Sequence, residues 1–576
     1  MTLQSWLQIA LTFLIGAALS IPVGRYLATV VTERSSRLDP VFDRADSFLY
    51  WLIGKEICGQ AMTWKVYTLH MLMTNLIMAV IIYLILVFQD YLPLNQLHFP
   101  GMEPVLAFNT AVSFITNTDW QGYGGETALS NFSQMAAITF PMFTSAATGF
   151  VVAMAFIRAF TTDDPSNLGN FYRDLIRFTT RMLIPAVFAL ALLMIWQGAP
   201  QTLDAQVTAH TLEGSQQTIA IGPVAALETI KHLGTNGGGF FNANASHPFE
   251  NPTPVTNLVL LLLMIILPAS IVICFGEMIG NRRQAWVLYG VMGVMAVIFV
   301  AAAASAEQAG TPILKEAGIE LAAQDSQPGG NMEGKETRFG IAQSSLFAAV
   351  TTAFTTGSVN SMHDSYTPLG GGVALTQMML QCVYGGKGVG FLNALVYGLI
   401  AVFVSGLMVG RTPEFLGKKI EKPEIILVCL TLLIHPLLIL APTGLSMATS
   451  QAVASLPDPG SIHGYSEVLY AFTSSAANNG SAFAGLNANT PWYNWATGLV
   501  ILIGRYPPII FLMAVAGSVA RKPFTPTTAG TLRTDTFQFG VFWLATILVV
   551  GALTFFPALV LGPIAEFFFM QSGHTS

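Results

Sequence analysis

Long apolar blocks separated by short polar punctuation dominate this chain. Val255–Cys274, Trp286–Ala303, Ile425–Leu440 and Phe539–Leu561 are near or above the ~18 residues that argue for a membrane span. Between such blocks lie shorter, partly polar stretches, among them Ala342–Phe354 and Glu467–Ala477, which lead into polar strings. Four strings recur: Thr116-Asn117-Thr118-Asp119, Thr235-Asn236-Gly237-Gly238, Thr355-Thr356-Gly357-Ser358 and Asn478-Asn479-Gly480-Ser481. Their third members, Thr118, Gly237, Gly357 and Gly480, lie 119, 120 and 123 residues apart. A near-constant period of that length points to four copies of one module. A shift of 123 residues superposes the third copy on the fourth without a gap, placing Leu346 on Leu469, Thr351 on Ser474 and Ala353 on Ala476.

Each copy predicts a long apolar helix, a short helix, the polar string and a second long helix. The short segments, ~10–13 residues, cannot cross a hydrocarbon core of about 30 Å and are expected to be re-entrant. Irregular backbone after them is tolerated at membrane depth only when buried in protein or facing water. The carboxyl end of a re-entrant helix carries partial negative charge and favours a cation. Eight flanking spans and one more at each terminus give an all-α integral membrane protein with about ten transmembrane helices. Four pseudo-repeated helix–pore loop–helix modules then surround a pore. The expected divisions are 1–65 (first span and a cytoplasmic segment), pore modules at 66–157, 182–276, 284–410 and 424–520, and a last span and tail at 536–576. Residues 305–340 read as an exposed external loop.

Composition agrees: 53% of residues are hydrophobic and 10% charged, against roughly 25% charged in a soluble domain. Leu7–Val23 has no basic residue before it and no small-residue cleavage site, so it reads as a retained span. Segments 23–65, 158–181, 277–285, 411–424 and 520–535 carry 19 of the 25 Lys and Arg. The positive-inside rule makes these cytoplasmic, the strings outward-facing and both termini extracytoplasmic. Four scattered cysteines predict neither a disulfide framework nor a metal cluster.

As a ring, the strings offer Thr and Asn oxygens together with glycines that let carbonyls turn inward. The candidate filter is Thr116, Asn117, Thr118, Thr235, Asn236, Gly237, Thr355, Thr356, Gly357, Asn478, Asn479 and Gly480. No Lys or Arg stands within a string, which disfavours an anion pore. Neutral carbonyls suit a large monovalent cation, since they do not readily strip water from a divalent one. Asp119 and Glu126 read as external acidic groups that raise local cation concentration. Gly329–Lys335 fits GxxxxGK, but Glu336 follows where Ser or Thr belongs, so no phosphate loop is expected. His232, His247 and His363 share no spacing and are expected to brace loops.

Several longer runs are more specific. GTNGGGFFNAN (Gly234–Asn244) followed by HPFENPT, TNTDWQ at 116–121, VNSMHDS (Val359–Ser365), NNGSAF (Asn478–Phe483) and GRTPEFLGKKIE (Gly410–Glu421) together resemble the potassium-binding, channel-like A subunit of the Kdp potassium-transporting ATPase. The resemblance covers essentially the whole chain. It implies that K+ is the transported ion, and that a separate P-type ATPase subunit hydrolyses ATP. It also implies a single-span accessory subunit, a small peptide subunit, a bacterial inner membrane with its lipid, and no nucleic-acid partner. The absence of a DKTG motif from this chain fits that division. The family's gating loop maps to 384–390, with Gly386, Lys387 and Gly388, and a family arginine beneath the filter maps to Arg505. Gln121 is a candidate for affinity tuning. The family carries an acidic residue where this chain has Gln381, facing the basic residue matched by Arg411. A neutral Gln381 forms no such pair, and Lys387 adds a positive charge. The alternatives are a stand-alone potassium channel or ion-coupled transporter, and a membrane-embedded enzyme. The enzyme would need acid–base or metal-ligating residues that the apolar spans do not display.

Overall fold

The computed structural model describes residues 1–34, 39–322, 324, 328–386, 388–408, 410, 412–526 and 531–573. In chain order its principal helices are α1 (Leu3–Val31), α2 (Trp64–Val87), α3 (Pro104–Ile115), α4 (Asn131–Ala159), α5 (Phe171–Trp196), α6 (Val224–Leu233), α7 (Pro254–Met278) and α8 (Arg282–Ala309). They continue as α9 (Gly340–Ala353), α10 (Pro368–Leu380), α11 (Val389–Met408), α12 (Lys422–Met447), α13 (Ile462–Ala476), α14 (Pro491–Val519) and α15 (Phe537–Gln571). Among the described residues ten helices are long and apolar enough to cross a membrane. The short helices α3, α6, α9 and α13 have 12, 10, 14 and 15 residues. At 1.5 Å per residue each falls short of a core of about 30 Å.

Burial sorts the spans into two shells. The most apolar windows of α4 and α7 are 83% and 78% buried, so these helices stand at the centre. Those of α2, α12 and α15 are 22% buried and turn apolar side chains outward, as lipid-facing helices do. The four modules are α2–α3–α4, α5–α6–α7, α8–α9–α10/α11 and α12–α13–α14, with α1 and α15 outside the repeat. In the third module the helix after the string is broken at 381–388, where Gln381, Tyr384, Gly385, Gly386 and Gly388 all have positive φ.

Side-chain caps fix the start of two of the four short helices, α3 and α13. Glu103 caps α3 by accepting the Leu106 amide at 2.7 Å, with Pro104 in the first turn, where its missing N–H costs nothing. Ser461 caps α13 by accepting the Gly464 amide at 2.9 Å, so this helix begins five residues before the expected Glu467. Two features depart from expectation. The 305–340 segment is not simply an exposed loop. α8 runs to Ala309, and buried Glu307 pairs with buried Lys335 at 2.7 Å and accepts the Thr367 amide at 2.8 Å. Spacing alone did not reveal that pairing. Two short hairpins, Gln206–His210 with Gln216–Ala220 and Glu414–Phe415 with Lys418–Lys419, also interrupt the helical pattern.

α1 lies along α7, and small residues make the close approach possible. Gly16, Ser20 and Gly24 recur every four residues, on one helix face. Ser270 Oγ donates to the Ser20 carbonyl at 3.1 Å. A Cβ on Gly24 would stand 2.6 Å from the Ser270 carbonyl oxygen and 2.6 Å from Ile273 Cβ. The backbone of α7 cannot yield there as a flexible side chain could. Gly24→Leu is therefore expected to lower stability by about 1–3 kcal/mol or more, the range for overpacked sites. Thermal unfolding in detergent measures this, and a variant melting with the wild type would show that α1 is not seated on α7 as described.

Candidate ion-binding site

All four short helices end in the same way, and the ends converge. Thr118 N donates to Ser113 O at 3.0 Å, Asn236 N to Lys231 O at 2.8 Å, Thr356 N to Thr351 O at 2.9 Å and Asn479 N to Ser474 O at 2.9 Å. This six-to-one bond is that of a Schellman cap, which needs a left-handed residue just before the donor. That residue is Asn117 (φ 64°), Thr235 (39°), Thr355 (46°) and Asn478 (51°). Left-handed geometry disfavours a β-branched Thr and persists only where the surroundings enforce it, a mark of functional sites.

The common bond also sets the register between modules. Thr118, Asn236, Thr356 and Asn479 are equivalent, and the next position holds Asp119, Gly237, Gly357 and Gly480. The first string is thus displaced by one from the alignment of Thr118 with the glycines. Thr116 is a cap residue equivalent to Gly234, Phe354 and Ala477, and its hydroxyl bonds Val112 O at 2.9 Å and Thr118 Oγ1 at 2.9 Å. It stands behind the ring rather than in it. Asp119 is buried, not an external charge, and its Oδ2 accepts the Gly237 amide at 3.1 Å. An aspartate tolerates the left-handed conformation, here at φ 55°, better than most residues, because its short side chain can bond locally.

Side-chain amides tie neighbouring strings and close the ring in chain order. Asn117 Nδ2 donates to Thr235 O at 2.9 Å, joining the first to the second. Ser358 Oγ bonds Asn244 Oδ1 at 3.1 Å, joining the third to the loop after the second. Asn479 Nδ2 donates to Thr351 O at 3.0 Å, and Asn478 Nδ2 to Thr118 Oγ1 at 2.9 Å, joining the fourth to both its neighbours. Inside this ring, the point where a Cβ on Gly237 would stand lies 2.9 Å from Thr118 O, 3.1 Å from Asn479 O and 3.1 Å from Thr356 O. A Cβ on Gly357 would collide with Asn479 O, and one on Gly480 with Thr118 O. Carbonyl oxygens of three strings thus surround one point at about 3 Å. Helix dipoles add roughly half a negative charge from each of the four carboxyl ends.

A buried charge cluster holds the second string. Lys231 bonds Glu250 Oε2 at 2.7 Å and Asn244 Oδ1 at 2.9 Å and also contacts Glu228. Asn244 Nδ2 reaches the Gly238 carbonyl at 2.5 Å, and Glu250 Oε1 accepts the Phe241 amide at 2.7 Å. Burial works against a charge on Glu250, but Lys231 outweighs it and holds the carboxyl below its ordinary range. Burial and the Glu250 charge push the Glu228 carboxyl up. Gln121 Oε1 accepts the Gly239 amide at 2.8 Å, which makes it a brace between strings and not a surface glutamine.

The broken segment of the third module lies against the first positions of the strings. Gly386 N donates to Phe354 O at 2.8 Å, and a Cβ there would collide with Thr355 Oγ1 and stand 3.6 Å from Thr235 Oγ1. A Cβ on Gly388 would lie 2.7 Å from Gly149 O on α4. Lys387 and Arg411 lie outside the described residues. Gln381 Nε2 donates to Ala477 O at 2.6 Å, and Asn393 Nδ2 to Gln381 Oε1 at 3.1 Å, so this amide spans the end of α13 and α11. Arg505 on α14 is buried and has no ion-pair partner among the described residues. With Gln381, Asn393 and His435 it lines a cavity of about 50 Å³ on the same side as the broken segment. His363 braces its turn against α13 through Tyr470 OH at 2.8 Å, whereas His232 bonds Glu228 O within α6 at 2.8 Å and braces no loop through that bond.

Ten spans and four re-entrant helices whose ends close a carbonyl ring define a membrane ion-transport pore of four fused modules. The potassium transporter TrkH from Vibrio parahaemolyticus shares this fold at a TM-score of 0.51 and 13% identity, over 89% of this chain and 98% of that one. The potassium-transporting ATPase A subunit family matches residues 10–568. The potassium-transporting ATPase potassium-binding subunit of Delftia acidovorans is 51% identical and covers 99% of both chains. That of Geobacillus kaustophilus is 50% identical over 97% of this chain and 98% of its own, and that of Rhodopseudomonas palustris 49% identical over 98% of each. The chain belongs to the potassium-transporting ATPase A subunit family.

Lys231→Met leaves the Glu250 carboxylate buried without its cation, a change that costs about 3–5 kcal/mol. The purified protein is expected to melt earlier, and Lys231→Met/Glu250→Gln to recover part of the loss. Equal melting temperatures in single and double variants would remove the cluster as the support of the second string.

Proposed function

We propose that K+ is selected among the Thr118, Thr356 and Asn479 carbonyls that converge beside Gly237, and passes from there to a separate ATP-hydrolysing subunit. The chain is the potassium-binding subunit of the Kdp potassium-transporting ATPase, and ATP hydrolysis resides in another subunit. The observation that carries the site is the convergence of three strings' carbonyl oxygens on the space beside Gly237, each about 3 Å from where a Cβ on that residue would stand. Backbone oxygens held at such a spacing replace the hydration shell of a cation. The ring is held from behind by side-chain amides and a buried ion pair, so it resists collapsing onto a smaller ion. Asn117, Asn236, Thr235, Thr355, Asn478, Gly357 and Gly480 supply its frame; Thr116 braces the first string within its own module and Gln121 ties it to the second.

Beneath the ring, Gly386 and Gly388 place the broken segment of the third module across the axis as a gate. The fixed positive charge of Arg505 opposes free passage of a second cation, because a buried charge without a counter-ion acts at long range in a low dielectric. In this reading Lys387 adds to that barrier. The excess of Lys and Arg in the segments away from the ring supports a bacterial inner-membrane orientation with both termini and the ring's entrance outside. The partners are a P-type ATPase catalytic subunit, a single-span accessory subunit, a small peptide subunit and membrane lipid.

The test is K+-stimulated ATPase activity of the purified native complex, wild type against Gly237→Ala. A methyl group at the enclosed point is expected to raise half-saturating K+ at least about tenfold, equivalent to ~1.4 kcal/mol of lost ion binding. Discrimination against Rb+ and NH4+ should weaken as well. An unchanged K+ dependence would dismiss this point as the selecting site. Purification without any ATPase would favour the stand-alone transporter reading.

A further inference from the structure

A second group of polar side chains lies away from the ring, at the amino-terminal end of α13. His463 and Glu467 stand one turn apart on the same face of that helix. Asp364 comes from the turn that follows the third string, and Glu566 from α15 just past its π-helical kink at Val560–Ile564. One ligand atom each from Asp364, His463 and Glu467 lies within 4.8 Å of the others. His463 Nε2 is 3.2 Å from Asp364 Oδ1, and its Nδ1 is 2.9 Å from Glu566 Oε1.

Glu467 makes the cluster more than a patch of acids. It is 2% exposed, and its Oε1 has no hydrogen-bond partner among the described residues although it faces the site. A half-buried group of three carboxylates around one imidazole repels itself unless a proton or a cation joins it. One imidazole nitrogen with carboxylate oxygens is a donor set that suits a first-row dication such as Zn2+. The second nitrogen is already engaged in the manner of a metal-ligating histidine. A carboxylate on Nδ1–H, here Glu566, fixes the ring orientation, and the ion displaces to solvent the Nε2 proton that otherwise bridges His463 to Asp364.

We propose that Asp364, His463 and Glu467 form a divalent transition-metal site, with Glu566 as the carboxylate that orients His463. The bound ion joins two parts of the chain distant in sequence, the segment after the third string and the fourth short helix, and Glu566 couples the carboxyl-terminal helix to it through His463. It also stands one aromatic stack from the ring. The His463 ring packs parallel to Phe483 at 5.9 Å, and Phe483 stacks on Tyr470 at 4.1 Å. Tyr470 OH bonds Ser481 Oγ at 2.9 Å, which bonds Asn479 Oδ1 at 2.6 Å in the fourth string. Metal occupancy therefore stiffens the support of that string from outside the ion path.

The experiment strips the intact complex with a chelator, re-equilibrates it with Zn2+ and counts metal by atomic spectroscopy, with affinity from competition against a coloured chelator. The wild type is expected to retain about one Zn2+ per chain at this site. His463→Ala and Glu467→Gln should lose it, and Glu566→Gln should bind roughly 10–100-fold more weakly. Asp364→Asn, nearly isosteric, covers the case in which the helix variants do not assemble. No retained Zn2+ in the wild type, or equal Zn2+ in wild type and monodisperse variants, overturns the proposal.

Discussion

Backbone polar groups buried at membrane depth must find partners, and four helix ends here meet that requirement in one place. A re-entrant helix that stops in the hydrocarbon layer leaves its last carbonyls without intrahelical bonds. Each cap satisfies part of that need by folding the next residues back, which turns the following carbonyl towards the axis. Four copies of this solution produce a ring whose remaining need is a cation. The left-handed threonines and asparagines, the glycines that admit close neighbours, and the charged brace behind the second string follow from it.

Much of this was legible in the sequence, because membrane spans and a 120-residue repeat are strong signals of composition and spacing. Ten spans and four re-entrant helices were expected from such signals and a loop at 384–390 from the family resemblance, whereas the break begins earlier, at Gln381. The register of the first string was not. Side-chain likeness set Thr118 beside the glycines, whereas the backbone bond from Thr118 to Ser113 O sets Asp119 there. An aspartate that takes a glycine's place by bonding the adjacent string is a tertiary fact with no local signature. The same holds for Glu307 with Lys335 and for Lys231 with Glu250, where each pair joins residues that sequence distance separates. Of the histidines flanking the strings, His363 braces its turn as expected and His232 bonds within its own helix, while His463, set among carboxylates, carried no motif.

Beneath the ring, neutral Gln381 ties the third module's break to Ala477 O and Asn393 by amide hydrogen bonds. Arg505 then faces that cavity without a carboxylate on the broken segment. Neutral hydrogen bonds of this kind are worth about 1 kcal/mol each.

The central claim is that a cation rests among backbone oxygens of different strings beside Gly237. Rubidium anomalous diffraction from crystals of the intact complex locates such an ion directly. The account predicts a peak on the axis, within coordination distance of the Thr118, Thr356 and Asn479 carbonyls. A peak elsewhere in the chain, with none in the ring at saturating Rb+, would contradict it.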